Sequence, residues 1–160
     1  MKKLTFIVIC FSLMLVLAAC GNEESQIPDV GEQQEHGFDI IETTADAAEM
    51  PAFLDETHED IAELYEEVVK HQDLLEHIPC YCGCYESANH RDVYECFVHQ
   101  FNEDGTVVWD THGMSCGVCL EIARDAIQMK QAGLSAEDIR TAIDAHYADG
   151  YPEATPTPHP

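Results

Sequence analysis

Basic residues are scarce in this sequence: seven Lys and Arg stand against 31 Asp and Glu, a formal net charge of −24. A field of that sign repels nucleic acid and anionic lipid headgroups, which excludes both as partners recognised through surface charge. Long apolar runs are missing too. Leu4 to Leu17, interrupted by Thr5 and Ser12, falls short of the roughly 20 residues that cross a bilayer as a helix. There is no phosphate-binding glycine loop, no internal repeat and no Ser/His/Asp arrangement. Carboxylates are plentiful, but no spacing among them selects an acid–base pair, so no catalytic residue is assigned.

What surrounds the short apolar run is an export signal. Lys2 and Lys3 precede it, as in the positive start of a secretory signal. Leu17-Ala18-Ala19-Cys20 follows, the pattern of a bacterial lipobox, in which small residues enter the peptidase cleft and the cysteine thiol takes a diacylglyceryl group. Residues 1–19 are therefore expected to be a lipoprotein signal peptide. Acylated Cys20 is expected to hold the remainder on the extracytoplasmic face of the cell membrane, with the lipid bilayer as its first partner. Each buried CH₂ of the acyl chains contributes about 0.8 kcal/mol to such an anchor. Cys10 leaves with the signal. The remaining chain keeps every acid but only Lys70, Arg91, Arg124, Lys130 and Arg140 as bases. The acidic excess reads most simply as a solvated surface.

Residues 20–50 carry Gly, Gln, Ser and acids with little apolar periodicity, which predicts a lipidated flexible tether. The Pro/Thr-rich segment 151–160 predicts a disordered tail. Between them, 51–150 is expected to form one mainly α domain: a small helical fold with a short β-hairpin and a cysteine-rich loop. Ile61, Leu64, Tyr65, Val68, Leu75 and Ile78 recur at helical spacing, with a weak turn near His71–Asp73. Pro79 ends that helix and delivers Cys80 into a loop. Tyr94 to Phe101, the Asn102–Gly105 turn and Thr106 to Trp109 read as a hairpin, although Val93, Phe97 and Phe101 also fit one helix face. Cys116-Gly117-Val118-Cys119 leads into a helix ending at Gly133, and Ser135 caps another through Tyr147. Trp109, Phe97 and Phe101 are read as core.

The cysteines carry the chemistry. Apart from Cys10 and Cys20, all six fall between Cys80 and Cys119. An even number in an exported chain ordinarily means disulfides. Pro79-Cys80-Tyr81-Cys82-Gly83-Cys84 argues otherwise: thiols one residue apart cannot bridge without strain, yet can turn inward together on one ion. Cys116 and Cys119 have the spacing of a thiolate chelate, and Cys96 adds a sixth sulfur. His90 and His112 are the histidines placed to assist, and hairpin pairing puts Cys96 opposite Thr111 or His112. Met114 completes a His-x-Met-x-Cys-x-x-Cys run. Such donors suit two tetrahedral sites or one thiolate-bridged cluster. Sulfur and imidazole select a soft transition metal, copper ahead of zinc, over magnesium or calcium. The expected metal ligands are Cys80, Cys82, Cys84, His90, Cys96, His112, Cys116 and Cys119, for sequestration, sensing or hand-over to another envelope metalloprotein. His58, His71 and His77 are read as surface or capping residues, His36 and His159 as incidental, and His99 and His146 are left open. A disulfide-stapled structural module is the structural alternative.

Pro79 to Cys84, His90, Cys96-Phe97, Asp104-Gly105, Trp109, His112, Cys116-Gly-Val-Cys119, Gly133-x-Ser135, Ile139-Arg140, Ile143-Asp144 and Tyr147 together resemble the bacterial lipoprotein family with the PCYCGC motif. The resemblance covers about Pro51 to Tyr147 and implies a small, lipid-anchored, cysteine-rich domain. A fainter one runs to the small helical thiol reductases of cytochrome c maturation, through Cys-x-x-Cys before a helix, a Gly-x-Ser turn, an Ile-bearing helix and a Tyr. It implies thiol–disulfide exchange by Cys116 and Cys119, although Met114-Ser115 stands where that family has Leu-Arg.

Overall fold

The computed structural model describes residues 27–160, so the expected signal peptide, Cys20 and the first residues of the expected tether lie outside the described residues. Four strands, β1 Gln33–His36, β2 Asp39–Thr44, β3 Val98–Phe101 and β4 Val107–Asp110, form one antiparallel sheet in the order β1-β2-β4-β3. The helices are α1 Glu59–Lys70, α2 Gln72–Leu75, α3 Tyr85–Ala88, α4 His112–Ser115, α5 Gly117–Gln131 and α6 Ala136–Tyr147. None of them is long and apolar enough to cross a membrane.

The architecture is thus mixed α/β, which corrects the expectation of a mainly helical domain. The unexpected half of the sheet comes from residues assigned to the tether. Their polarity conceals a buried strand, because each polar group inside finds a partner. Thr43 Oγ1 donates to Pro28 O at 2.7 Å, and Thr44 Oγ1 accepts from Trp109 Nε1 at 2.8 Å. The buried Glu42 carboxylate accepts from Gln33 Nε2 and from the Ala52 amide, both at 2.7 Å.

β4 is one of the two inner strands, and all four of its residues are buried. Val107 and Trp109 join the main core with Tyr65, Val68 and Phe97. Tyr65 and Phe97 meet edge to face at 5.0 Å between centroids. Rings of this kind remove roughly 150–250 Å² each from water, worth about 4–6 kcal/mol before entropy. Tyr65 Oη donates to Asp110 O at 2.7 Å and accepts from the Met114 amide at 3.1 Å, which ties α1 to the segment carrying His112. Phe101, expected in the core, sits exposed on the edge strand β3.

The helices lie where the spacing predicts. His58 caps α1 by accepting from the Asp60 amide, and the helix breaks at His71 before resuming as α2. Ser135 caps α6 through the Asp138 amide. The hairpin is shorter than expected, since Tyr94–Cys96 forms a 3-10 turn ahead of β3. The segment 151–160 also departs from expectation. Thr155 and Thr157 are buried, and the Thr155 amide donates to Cys80 O at 3.0 Å while its Oγ1 accepts from the Cys80 amide at 2.9 Å. Proline-rich composition leaves few backbone donors, but here the two threonines supply the hydrogen bonds that dock the tail.

Candidate metal centre

Each donor reaches the centre by a local backbone device. Pro79 ends the helical run, and the Val93 amide donating to Ile78 O at 2.9 Å closes the loop between them. Within it Gly83 has φ +81°, a left-handed conformation that L side chains rarely adopt, and this reverses the chain between Cys82 and Cys84. Cys84 then starts α3, its carbonyl accepting from the Ala88 amide at 2.7 Å. Asn89, left-handed at φ 59°, ends that turn and delivers His90 inward. Asp92 Oδ1 accepts from the Glu95 amide at 3.0 Å and opens the 3-10 turn that carries Cys96. Cys116 is the N-cap of α5, so Cys119 lies in its first turn. Gly113 lets α4 pass the Phe97 ring, for a Cβ there would lie 2.5 Å from a ring carbon.

Five sulfurs converge. Cys80, Cys84, Cys96 and Cys119 are buried, with their donor atoms all within 4.8 Å of one another. Two further groups meet the same limit: Cys82, Cys84, His112 and Cys119, and Cys84, His90, Cys96 and His112. Cys84 belongs to all three groups, so the seven donors form one connected cluster. Four sulfurs at about 2.3 Å from a zinc ion have S···S edges of roughly 3.8 Å. Here Cys80–Cys84 measures 3.5 Å, Cys80–Cys119 3.6 Å, Cys96–Cys119 3.5 Å and Cys82–Cys119 3.8 Å, whereas Cys82 lies closer than such an edge to Cys80, at 3.1 Å, and to Cys84, at 2.6 Å. All six thiols among the described residues are free. A disulfide framework would separate the sulfurs into pairs; instead Cys119 touches Cys80, Cys82 and Cys96 at once.

The imidazoles complete the geometry. His112 Nδ1 lies 2.9 Å from Asp39 Oδ2, so the ring donates Nδ1–H to the carboxylate. Its Nε2 is buried with no hydrogen-bond partner. A ring held by a carboxylate on one nitrogen, with the other directed at a ligand set, is the common outer-shell arrangement of metal-binding histidine. His90 meets His112 edge to face at 4.6 Å between centroids, and its Nδ1 is likewise buried and unpartnered.

Crowding divides the protons unequally. Contacts with Cys119 and then Cys80 hold the Cys82 thiol at about 5, and the same neighbours with Cys82 and Cys96 hold Cys84 well below the ordinary range. Cys119 is pushed well up by Cys116 and the other thiols touching it, with burial adding. For Cys80 the Cys119 contact lowers, but the contacts with Cys82, Cys84 and Cys96 and burial outweigh it and leave the thiol raised. Cys82 and Cys84, with Asp39 adding, push His112 up to about 12 against burial. Burial opposes charge on His90, yet Cys84 and Cys96 raise it to about 10.

Of the expected ligands, the structure gathers Cys80, Cys82, Cys84, His90, Cys96, His112 and Cys119. Cys116 stands apart from the three groups, half-buried beside a cleft of about 520 Å³ that His90 and His112 also line. Met114 packs against the hydrophobic core. Cys96 reaches His112 from the 3-10 turn rather than by hairpin pairing. Asp39 was invisible to spacing arguments because it belongs to a strand hidden in polar sequence. Thr155 escapes sequence reasoning for a different reason, the Pro/Thr-rich composition of 151–160 that reads as a tail, and His36, expected to be incidental, meets His99 in the cleft.

No curated protein matches the chain, and no solved structure does. The family described as protein of unknown function with PCYCGC motif matches residues 8–160, so with its Pro79–Cys84 run at the centre of the donor cluster this chain belongs to the PCYCGC-motif family.

Proposed function

We propose that this protein is a membrane-anchored extracytoplasmic lipoprotein that binds a soft transition metal, copper ahead of zinc, through its Cys/His cluster. The observation that carries the metal reading is the pairing of connected sulfurs with His112, whose free nitrogen faces them while Asp39 holds the other. Cysteine and imidazole donors favour copper and zinc over hard cations. Six of the seven gathered donors, all but His90, suit two tetrahedral ions sharing Cys84 and Cys119, and the seven together suit one thiolate-bridged cluster. The lipobox at Leu17–Cys20 supports acylation of Cys20, and the acidic surface suits a protein held off an anionic bilayer. Its role would be to sequester or sense the ion, or to hand it to another envelope metalloprotein.

One observation favours a second reading, thiol–disulfide exchange. Cys116, at the start of α5 and open to the cleft, is lowered to about 7, first by its contact with Cys119, which is itself buried and raised. An accessible low-pKa thiol separated by two residues from a buried one is the arrangement of a dithiol reductant. The discriminating experiment is elemental analysis paired with a thiol count on the full chain, exported by a bacterial host and purified anaerobically without chelator. Copper or zinc at one or more equivalents, reduced in Cys82→Ser without loss of export, supports metal binding. No metal, with a Cys116–Cys119 pair that reduces a partner disulfide, supports exchange instead.

A further inference from the structure

The thiol cluster is closed on its core side, where Cys80, Cys96 and Cys119 have no exposed surface. On the imidazole side, His90, His112 and Cys116 border a cleft that opens to solvent. Two more imidazoles stand in that cleft, outside the three ligand groups. His36 ends β1 and His99 lies in β3, at opposite edges of the sheet, yet their rings meet edge to face at 4.6 Å between centroids. The β3–β4 register shifts between Val98 and Gln100, an irregularity that falls at His99 and re-aims its side chain. His36 Nδ1 is buried and has no hydrogen-bond partner. Both rings also border a second hollow with His90, which places them next to the first imidazole of the cluster.

We propose that His36 and His99 form a separate imidazole site that captures the ion at the cleft and passes it through His90 and His112 to the thiols. The inference rests on the metal-binding reading of the cluster. Imidazole suits copper and zinc, and a pair of rings leaves coordination positions open, as a site that must release its ion requires. Burial, then His36 and His90, hold His99 below the ordinary imidazole range. The transfer is ligand exchange: each new M–N or M–S bond replaces one to the previous donor, and the protons held by the His90 and His112 rings and by the thiols leave to solvent as each donor binds. No electron moves.

The test is the loading of the full chain with Cu(I) carried by a weak chromophoric chelator, followed by stopped flow, in the unaltered protein and in the His36→Asn/His99→Asn variant. The expected result is equal final copper per chain, with loading slowed about tenfold or more, because a tethered donor acts at millimolar effective concentration. Unfolding midpoints verify that the variant folds. An independent readout uses the unaltered chain: once the cluster is filled with Zn²⁺, further Zn²⁺ should shift the ring ¹⁵N signals of His36 and His99 ahead of the other histidines. A filled cluster with equal loading rates and no such shift overturns the entry site alone. A cluster that takes up no metal in the unaltered chain overturns the metal reading and this inference with it.

Discussion

On the sulfur side of the cluster, Cys80, Cys96 and Cys119 are sealed within the core, carried by a loop, a 3-10 turn and a helix start; on the other side His90 and His112 border an open cleft, and His112 is tied to a carboxylate. The sulfurs are crowded by packing alone, whereas the imidazole is oriented by the specific hydrogen bond it donates to Asp39 of β2. The contrast teaches a division of labour. Burial beside other sulfurs sets softness and retention, and the ring fixed by Asp39 sets geometry at the point of access.

The largest effect should come from the sulfur side. Cys119→Ser removes a donor common to two groups and should cost roughly 3 kcal/mol of metal binding, taking about 10–16 kcal/mol for a four-ligand zinc site as the scale. Competition titration against a chelator of known affinity would register it as a loss of about 100-fold. Cys116→Ser should change affinity far less; equal losses would erase the distinction between cluster and cleft.

Acidity should act on both sides together. Metal binding must displace the proton that the Cys82 and Cys84 contacts keep on His112, raised to about 12, and those on the raised Cys80 and Cys119 thiols. Protons and ion compete, so affinity rises with pH. One proton released per ion weakens binding about 100-fold from pH 8 to pH 6, and each further proton weakens it about 100-fold more over the same window. A pH-independent affinity over that window would contradict the ligand set.

Asp39→Ala tests the imidazole side by itself. Loss of an outer-shell partner typically costs about 10- to 100-fold in metal affinity. The thiol count should not change, and Asp39→Asn, which can still accept from Nδ1–H, should recover part of the loss. An Asp39→Ala chain with undiminished affinity would leave His112 a bystander. The smallest expected effect is at the docked tail. Thr155→Val deprives the buried Cys80 amide of its acceptor, which costs about 1–3 kcal/mol, and hydrogen exchange at that amide should accelerate while metal content is retained.

The donor types were legible beforehand because cysteines at alternate positions and a Cys-x-x-Cys pair restrict chemistry whatever the fold. So were α1, α5 and α6, whose apolar spacing and capping residues are local signals. The hairpin was legible through its Asn102–Gly105 turn, but its strand length was not, since Asp92 starts a 3-10 turn by a side-chain hydrogen bond to a backbone three residues on. The β1–β2 hairpin was misread because Glu42, Thr43 and Thr44 look solvent-exposed until Gln33, Pro28 and Trp109 are brought to them.

The sequence by itself determined that six thiols would crowd one segment, that bonding within Cys80–Cys84 would be strained, and that the helices would begin and end where their caps lie. Only the tertiary structure decided which donors meet. Asp39 and His112 are 73 residues apart, and Cys80 and Thr155 are 75 apart. No local propensity encodes such contacts. They exist because the sheet and helices, in burying their shared core, bring distant polar groups to where each must satisfy another.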